Sequence, residues 1–162
     1  MFPRNPVGQC DSTMKIVCLA AAVAALVSAA GRAEAACTVS TTSANFGTYD
    51  VFSASANAST ATITYRCGNA DKDILITLSQ GSSPTFTPRT LRNGTEVLQY
   101  NLYRDAAFST IWGDGTSGTA TYTLKNPPNS QDVILTVYGR IPAQQDVAVG
   151  SYADALIVTI NF

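Results

Sequence analysis

The sequence of 162 residues contains no histidine. Histidine is the usual general base near neutral pH and the commonest metal ligand, so its absence removes Ser-His-Asp and Cys-His catalysis. Charged residues are also scarce, at 13% of the chain, and the formal net charge is −1. Because there is no excess of lysine and arginine to neutralise phosphates, nucleic-acid binding is not expected. The composition argues against most hydrolases and zinc enzymes, and we expect neither a catalytic residue, a metal nor a cofactor.

An apolar run over residues 16–30 lies near the start of the chain. A membrane-spanning helix needs about 20 apolar residues, and this run is shorter and rich in alanine. A lysine before the run and the small-residue sequence Ala33-Glu34-Ala35 after it are typical of a secretory signal peptide. We therefore expect residues 1–35 to be a leader that is removed, and residues 36–162 to form one exported domain without stable membrane insertion.

Two cysteines, Cys37 and Cys67, lie beyond this leader. In an exported protein an even pair favours a disulfide, which would contribute about 3–4 kcal/mol in the chain-entropy model. Two free thiols or half of a metal site are the alternatives, and the second is weak in a chain without histidine. Lipidation of Cys37 is disfavoured because Glu34 stands where a lipobox has an aliphatic residue.

Beyond Cys37 the apolar residues follow an alternating period and no helical one, which predicts β-strands. The clearest case is the final stretch, in which one side carries Leu156, Val158, Ile160 and Phe162. Residues 133–138 are apolar on both faces apart from one threonine, which predicts a fully buried central strand. Asn93-Gly94 is a candidate type I′ hairpin turn. Some eight short strands separated by turns indicate an all-β sandwich. The chain is 46% hydrophobic, which is enough to form its core.

Two segments could carry chemistry. Trp112 and Asp114 lie together in a Gly-containing segment, which could be a sugar-binding aromatic platform on a surface loop or part of a calcium loop. The favoured interpretation places Trp112 in the core and residues 113–115 in a turn. Asp71 and Asp73 could form a carboxylate pair, but a solvated turn before a buried strand is the favoured interpretation there.

Several short motifs occur in a characteristic order. They are a cysteine just after the leader, NFGTY at 45–49, a strand ending in Cys67, LQYNLYRD at 98–105, WGDG at 112–115, VYGRIPAQQ at 137–145, GSYAD at 150–154 and a final strand ending in Asn161-Phe162. In order and spacing they resemble the spore coat U domain family, the pilin-like subunits of archaic (Csu-type) chaperone–usher systems. The resemblance covers residues 37–162.

The resemblance implies an immunoglobulin-like sandwich that lacks its last strand and therefore has an open apolar groove. Leu156, Val158, Ile160 and Phe162 are expected to line this groove. The implied partners are a periplasmic chaperone, an outer-membrane usher and a neighbouring subunit whose N-terminal extension completes the sheet. The implied protein is a non-enzymatic secreted subunit with a structural or cell-adhesive role, in a surface structure such as a pilus, a biofilm or a spore coat. The alternative is a self-contained secreted binding module, which predicts a complete sheet and ligand-dependent protection of Trp112.

The sequence departs from the family pattern ahead of Cys37. Fibre-forming members carry a donor segment of alternating apolar residues there, whereas the expected cleavage leaves only Ala36, and cleavage after Ala30 would leave the short, charged segment 31–36. A strand needs about five or six residues to fill a groove. We therefore expect a subunit that accepts a strand without giving one, at the tip or cap of a fibre.

Overall fold

The computed structural model describes residues 37–68 and 73–162. The expected leader and the residue Asp71 lie outside the described residues. Within them the chain forms eight strands: β1 Cys37–Thr41, β2 Asn57–Cys67, β3 Asp73–Leu78, β4 Arg89–Asn93, β5 Glu96–Tyr103, β6 Tyr122–Lys125, β7 Asp132–Ile141 and β8 Val158–Asn161. The order is β1-β2-β7-β5-β4 in a five-stranded sheet and β6-β3-β8 in a three-stranded sheet. The predicted all-β sandwich is confirmed.

Alternation along β2 explains how the large sheet builds the core. Ile63, Tyr65 and Cys67 are 1–2% exposed, whereas the residues between them are half-buried or exposed on the other face. β2 pairs with β7 over ten residue positions, from Asn57↔Ile141 to Arg66↔Asp132. This long pairing fixes the register, because a slip of one residue would turn the apolar side chains to solvent.

β7 is a central strand, as predicted, because it lies between β2 and β5. The prediction of full burial is wrong for its outer face, where Ile134 is 65% exposed. The three-stranded sheet covers only one face of the five-stranded sheet. Side chains that point away from that covered face, including Ile134, therefore meet solvent.

The hairpin between β4 and β5 turns one residue later than the sequence pattern predicted. Asn93 pairs with Glu96, so the two-residue loop is Gly94-Thr95. Gly94 has φ +60°, and Thr95 is not among the residues with positive φ. Positive φ at the first central position alone is the pattern of a type II′ turn, in which glycine is favoured at that position.

The disulfide between Cys37 and Cys67 is present, and it joins the first residue of β1 to the last residue of β2. The two residues are also register partners in the sheet, with Cα atoms 4.0 Å apart. The alternatives of free thiols and a half metal site are thereby excluded.

Candidate functional site

A cleft of about 310 Å³ opens between the two sheets. Its floor is the inner face of the large sheet, formed by Ala61, Ile63, Leu91, Tyr100, Leu102 and Val137. One wall follows β1 and comprises residues 41–44 with Phe46. The other wall comprises residues 154–156 and Val158, the first residue of β8. The floor is largely apolar, and among the described residues that line the cleft only Asp154 carries a charge.

Both strands that adjoin the cleft are edge strands. β8 pairs with β3 from Leu75↔Asn161 to Leu78↔Val158, and no described strand pairs with its other edge. β1 pairs with β2 alone among the described strands. The outward-facing backbone N–H and C=O groups of β8 and of residues 38–41 are therefore available to a further extended segment.

Side chains distinguish these two edges from the other two. β1 and β8 contain no charged residue and no proline. β4 carries Arg89 and Arg92, and β6 ends at Lys125 just before Pro127 and Pro128. Charges and prolines protect exposed strand edges against pairing with another chain. The edges beside the cleft lack this protection.

The residues expected to line a groove divide into two groups. Leu156 and Val158 line the cleft, and both are half-buried against the core. Ile160 packs partly buried on the core beyond the cleft lining, and Phe162 is 52% exposed at the end of the chain. The structure thus places two of the four in the cleft. That these residues contact a donor strand or a chaperone stays a prediction.

Asp154 anchors the second wall through four hydrogen bonds. Its Oδ2 accepts from the Tyr100 hydroxyl at 2.7 Å, and its Oδ1 accepts from the Ser82 N–H and hydroxyl, both at 2.8 Å, and from the Ala155 N–H at 2.9 Å. Burial raises the pKa of Tyr100 well above its usual value, and the hydrogen bond to Asp154 adds to the shift. The Tyr100 hydroxyl therefore stays protonated and remains a donor.

Arg89 is fully buried beneath this region, and sequence analysis assigned it no role. Its Nε and Nη2 donate to the Ser79 carbonyl at 3.1 and 2.9 Å, Nη2 also donates to the Trp112 carbonyl at 2.7 Å, and Nη1 donates to Asn101 Oδ1 at 2.8 Å. Burial lowers the pKa of this guanidinium. Arg89 and Leu91 are two residues apart in β4 and therefore lie on the same face of the strand. This spacing from an apolar residue was the one signal in the sequence that Arg89 points inward.

Trp112 is 2% exposed, so the prediction of an aromatic surface platform is wrong and the core interpretation is confirmed. Its Nε1 donates to the Ile76 carbonyl at 3.3 Å, and its ring lies 6.3 Å from that of Tyr122. Ligand-dependent protection of this residue is accordingly not expected.

Asp114 is exposed, and its carboxylate accepts hydrogen bonds from within its own turn. Its Oδ1 accepts from the Thr116 hydroxyl at 2.6 Å and the Thr116 N–H at 2.9 Å, and these bonds lower the pKa of Asp114. Among the described residues no group of three or more acidic, cysteine or histidine side chains could hold a metal ion. Across the same residues, no helix has the length and apolar character needed to cross a membrane.

The fold and cleft together define a β-sandwich domain with two unprotected sheet edges beside an open apolar groove. The Spore Coat Protein U domain matches residues 23–159, so the chain belongs to that family, as its motifs predicted. It is similar to "Protein U" of Myxococcus xanthus, with 34% identity over 131 residues that cover 73% of this chain and 70% of that protein.

A solved structure with a similar fold is the CsuC–CsuE chaperone–tip adhesion subunit pre-assembly complex from archaic chaperone–usher Csu pili of Acinetobacter baumannii. The TM-score is 0.56 at 18% identity, and the alignment covers 78% of this chain. This chain spans 39% of the matched chain in that complex. The likeness is one of fold.

Proposed function

We propose that the protein is a non-enzymatic structural subunit that accepts an extended strand from a partner into the cleft between β1 and β8. The cleft with its two unpaired edges is the observation that carries the proposal. The partners are a periplasmic chaperone first and a neighbouring subunit afterwards, with an outer-membrane usher as the site of exchange. Export through the periplasm to a cell-surface fibre or coat follows from this assembly route, which the family membership and the fold likeness support.

An added strand would gain free energy in two ways. Its backbone would continue the sheet about 4.8 Å from β8 and pair with the open N–H and C=O groups. Its alternate side chains would enter the cleft and cover apolar surface, which contributes roughly 25 cal/mol per Å². Val39 faces inward as the register partner of Tyr65 yet is 40% exposed, which is the exposure expected beside a missing strand.

The first prediction joins a donor strand to the chain. Nine residues of alternating valine and threonine, fused after Phe162 through a short flexible linker, should raise Tm by about 10 °C or more. Filling four inward positions contributes roughly 6 kcal/mol, at about 2–4 °C per kcal/mol for a domain of this size. Thermal unfolding followed by circular dichroism measures the shift.

Matched variants test whether the gain comes from the cleft. Ala61 is a buried small residue in the cleft floor, whereas Ala58 is exposed on the same strand. Ala61→Leu should fill the cleft and remove most of the donor-dependent rise in Tm, and Ala58→Leu should leave that rise unchanged. An equal rise in both variants, or no rise in the parent fusion, contradicts the proposed function.

We further propose a position at the tip or cap of a fibre. The support is the segment ahead of Cys37, which after the predicted cleavage is too short to complete a neighbouring sheet. We expect no long fibres from the mature chain coexpressed with a chaperone and an usher, and fibres once an alternating apolar segment is fused ahead of Cys37. Electron microscopy distinguishes the two, and long fibres from the unmodified chain contradict the tip position.

A further inference from the structure

We infer that Asp154 and Tyr100 hold the second wall of the cleft in the open position that an incoming strand requires. Both residues line the cleft, and the Tyr100 hydroxyl donates to Asp154 Oδ2 at 2.7 Å. The inference rests on the proposed function, because it concerns how the same cleft is kept ready for a strand. We call them positioning residues because the backbone of the added strand would pair with the edges of β1 and β8 and not with Tyr100 or Asp154.

The wall crosses from one sheet to the other, which is why it needs an anchor. At its start, Ala153 exchanges two backbone hydrogen bonds with Arg92 of β4, at 2.8 and 3.0 Å. At its end, Ile157 bonds to Ser79 through its N–H and its carbonyl, at 2.9 and 3.0 Å. The intervening residues belong to neither sheet, and Asp154 is the point at which their backbone is tied down.

The carboxylate of Asp154 connects its own wall to two other parts of the fold. Tyr100 belongs to β5 of the large sheet, and Ser82 belongs to the turn that follows β3. A Cβ added at Gly81 would overlap the carboxylate of Asp154, and Gly81 has φ +69°, so both the close approach and the backbone conformation favour glycine at that position. The wall is thus fixed against both sheets at a defined separation.

Loss of this anchor has a different consequence in the empty and the filled cleft. In the empty cleft a released wall can move inward and bring the half-buried Leu156 onto the apolar floor, which compensates for the lost hydrogen bond. An added strand would have to push that wall back before it could bind. The anchor therefore favours the filled form more than the empty one, which is preorganisation of the site.

A double-mutant cycle between the fused donor strand and Tyr100→Phe tests the inference. A hydrogen bond to a charged group is among the stronger hydrogen bonds in proteins, so the donor-dependent rise in Tm should fall by about 5 °C in Tyr100→Phe. Asp154→Ala should reduce the rise further. Hydrogen exchange at the Ile157 amide should also be faster in both variants than in the parent fusion.

Tyr49→Phe is the matched control. The Tyr49 hydroxyl donates to the Pro142 carbonyl and accepts from the Gln145 N–H, both at 2.8 Å, and Tyr49 lies outside the cleft lining. Its loss should lower Tm equally with and without the donor. An equal lowering in Tyr100→Phe as well would overturn the inference and leave the proposed function standing. If the donor fails to stabilise even the parent chain, the proposed function fails first.

Discussion

Replacement of Arg89 by methionine is expected to destabilise the protein by about 4 kcal/mol, a large part of the total for a domain of this size. Methionine fills much of the space but leaves the carbonyls of Ser79 and Trp112 without the donors that Arg89 provides, and Asn101 Oδ1 keeps only the Leu102 N–H. A buried acceptor without a partner costs roughly 1–3 kcal/mol. Urea unfolding of the parent chain and the variant measures the loss.

Arg92→Met is the control for this prediction. Arg92 is exposed on the same strand, and its bonds to Ala153 run through the backbone. It should change stability by no more than about 0.5 kcal/mol. Replacing a buried charge with an apolar side chain is often neutral when both partners of an ion pair are removed. The partners of Arg89 are backbone and amide oxygens, which remain in place when the guanidinium is removed. Equal stability of the two variants would therefore refute the role assigned to Arg89.

Removal of the disulfide, by Cys37→Ala together with Cys67→Ala, is expected to cost about 3–4 kcal/mol. The bond closes a loop with a sequence separation of 30 residues and holds an edge strand whose only partner among the described strands is β2. We expect faster amide hydrogen exchange in β1 at conditions where β7 remains protected, because β7 is paired on both sides.

A reducing agent provides the control for the disulfide prediction. Reduction of the parent chain should reproduce the stability of the double variant, and the same agent should leave that variant unchanged. Equal urea midpoints for the oxidised parent chain and the double variant would show that β1 is held by its backbone pairing alone.

The local features of this fold could be predicted from the sequence, because they depend on a period of two residues. Alternation placed Leu156 and Val158 on the inner side of the final stretch, and the same two-residue period along β2 explains the burial of Ile63 and Tyr65. Full burial of Ile134 was predicted wrongly because a strand's own sequence does not tell which faces of its sheet are covered.

The anchors of the cleft could not be predicted in this way. Asp154 meets Tyr100 and Ser82 across 54 and 72 residues of sequence, and Arg89 meets carbonyl groups that any residue could provide. Contacts of this kind depend on how two sheets are stacked. A single sequence carries no periodic signal for them, so they became visible only in the folded chain.

The position of the disulfide has a mechanical consequence. In the fusion that carries a donor segment ahead of Cys37, a force on that segment passes through the sulfur atoms directly to Cys67, at the end of β2. Residues 38–66, which include β1 beyond Cys37, then bear no tension, and β1 cannot be peeled from its neighbour by such a force. Under load, the wall of the cleft that follows β1 keeps its shape while the pull is transmitted along a covalent path.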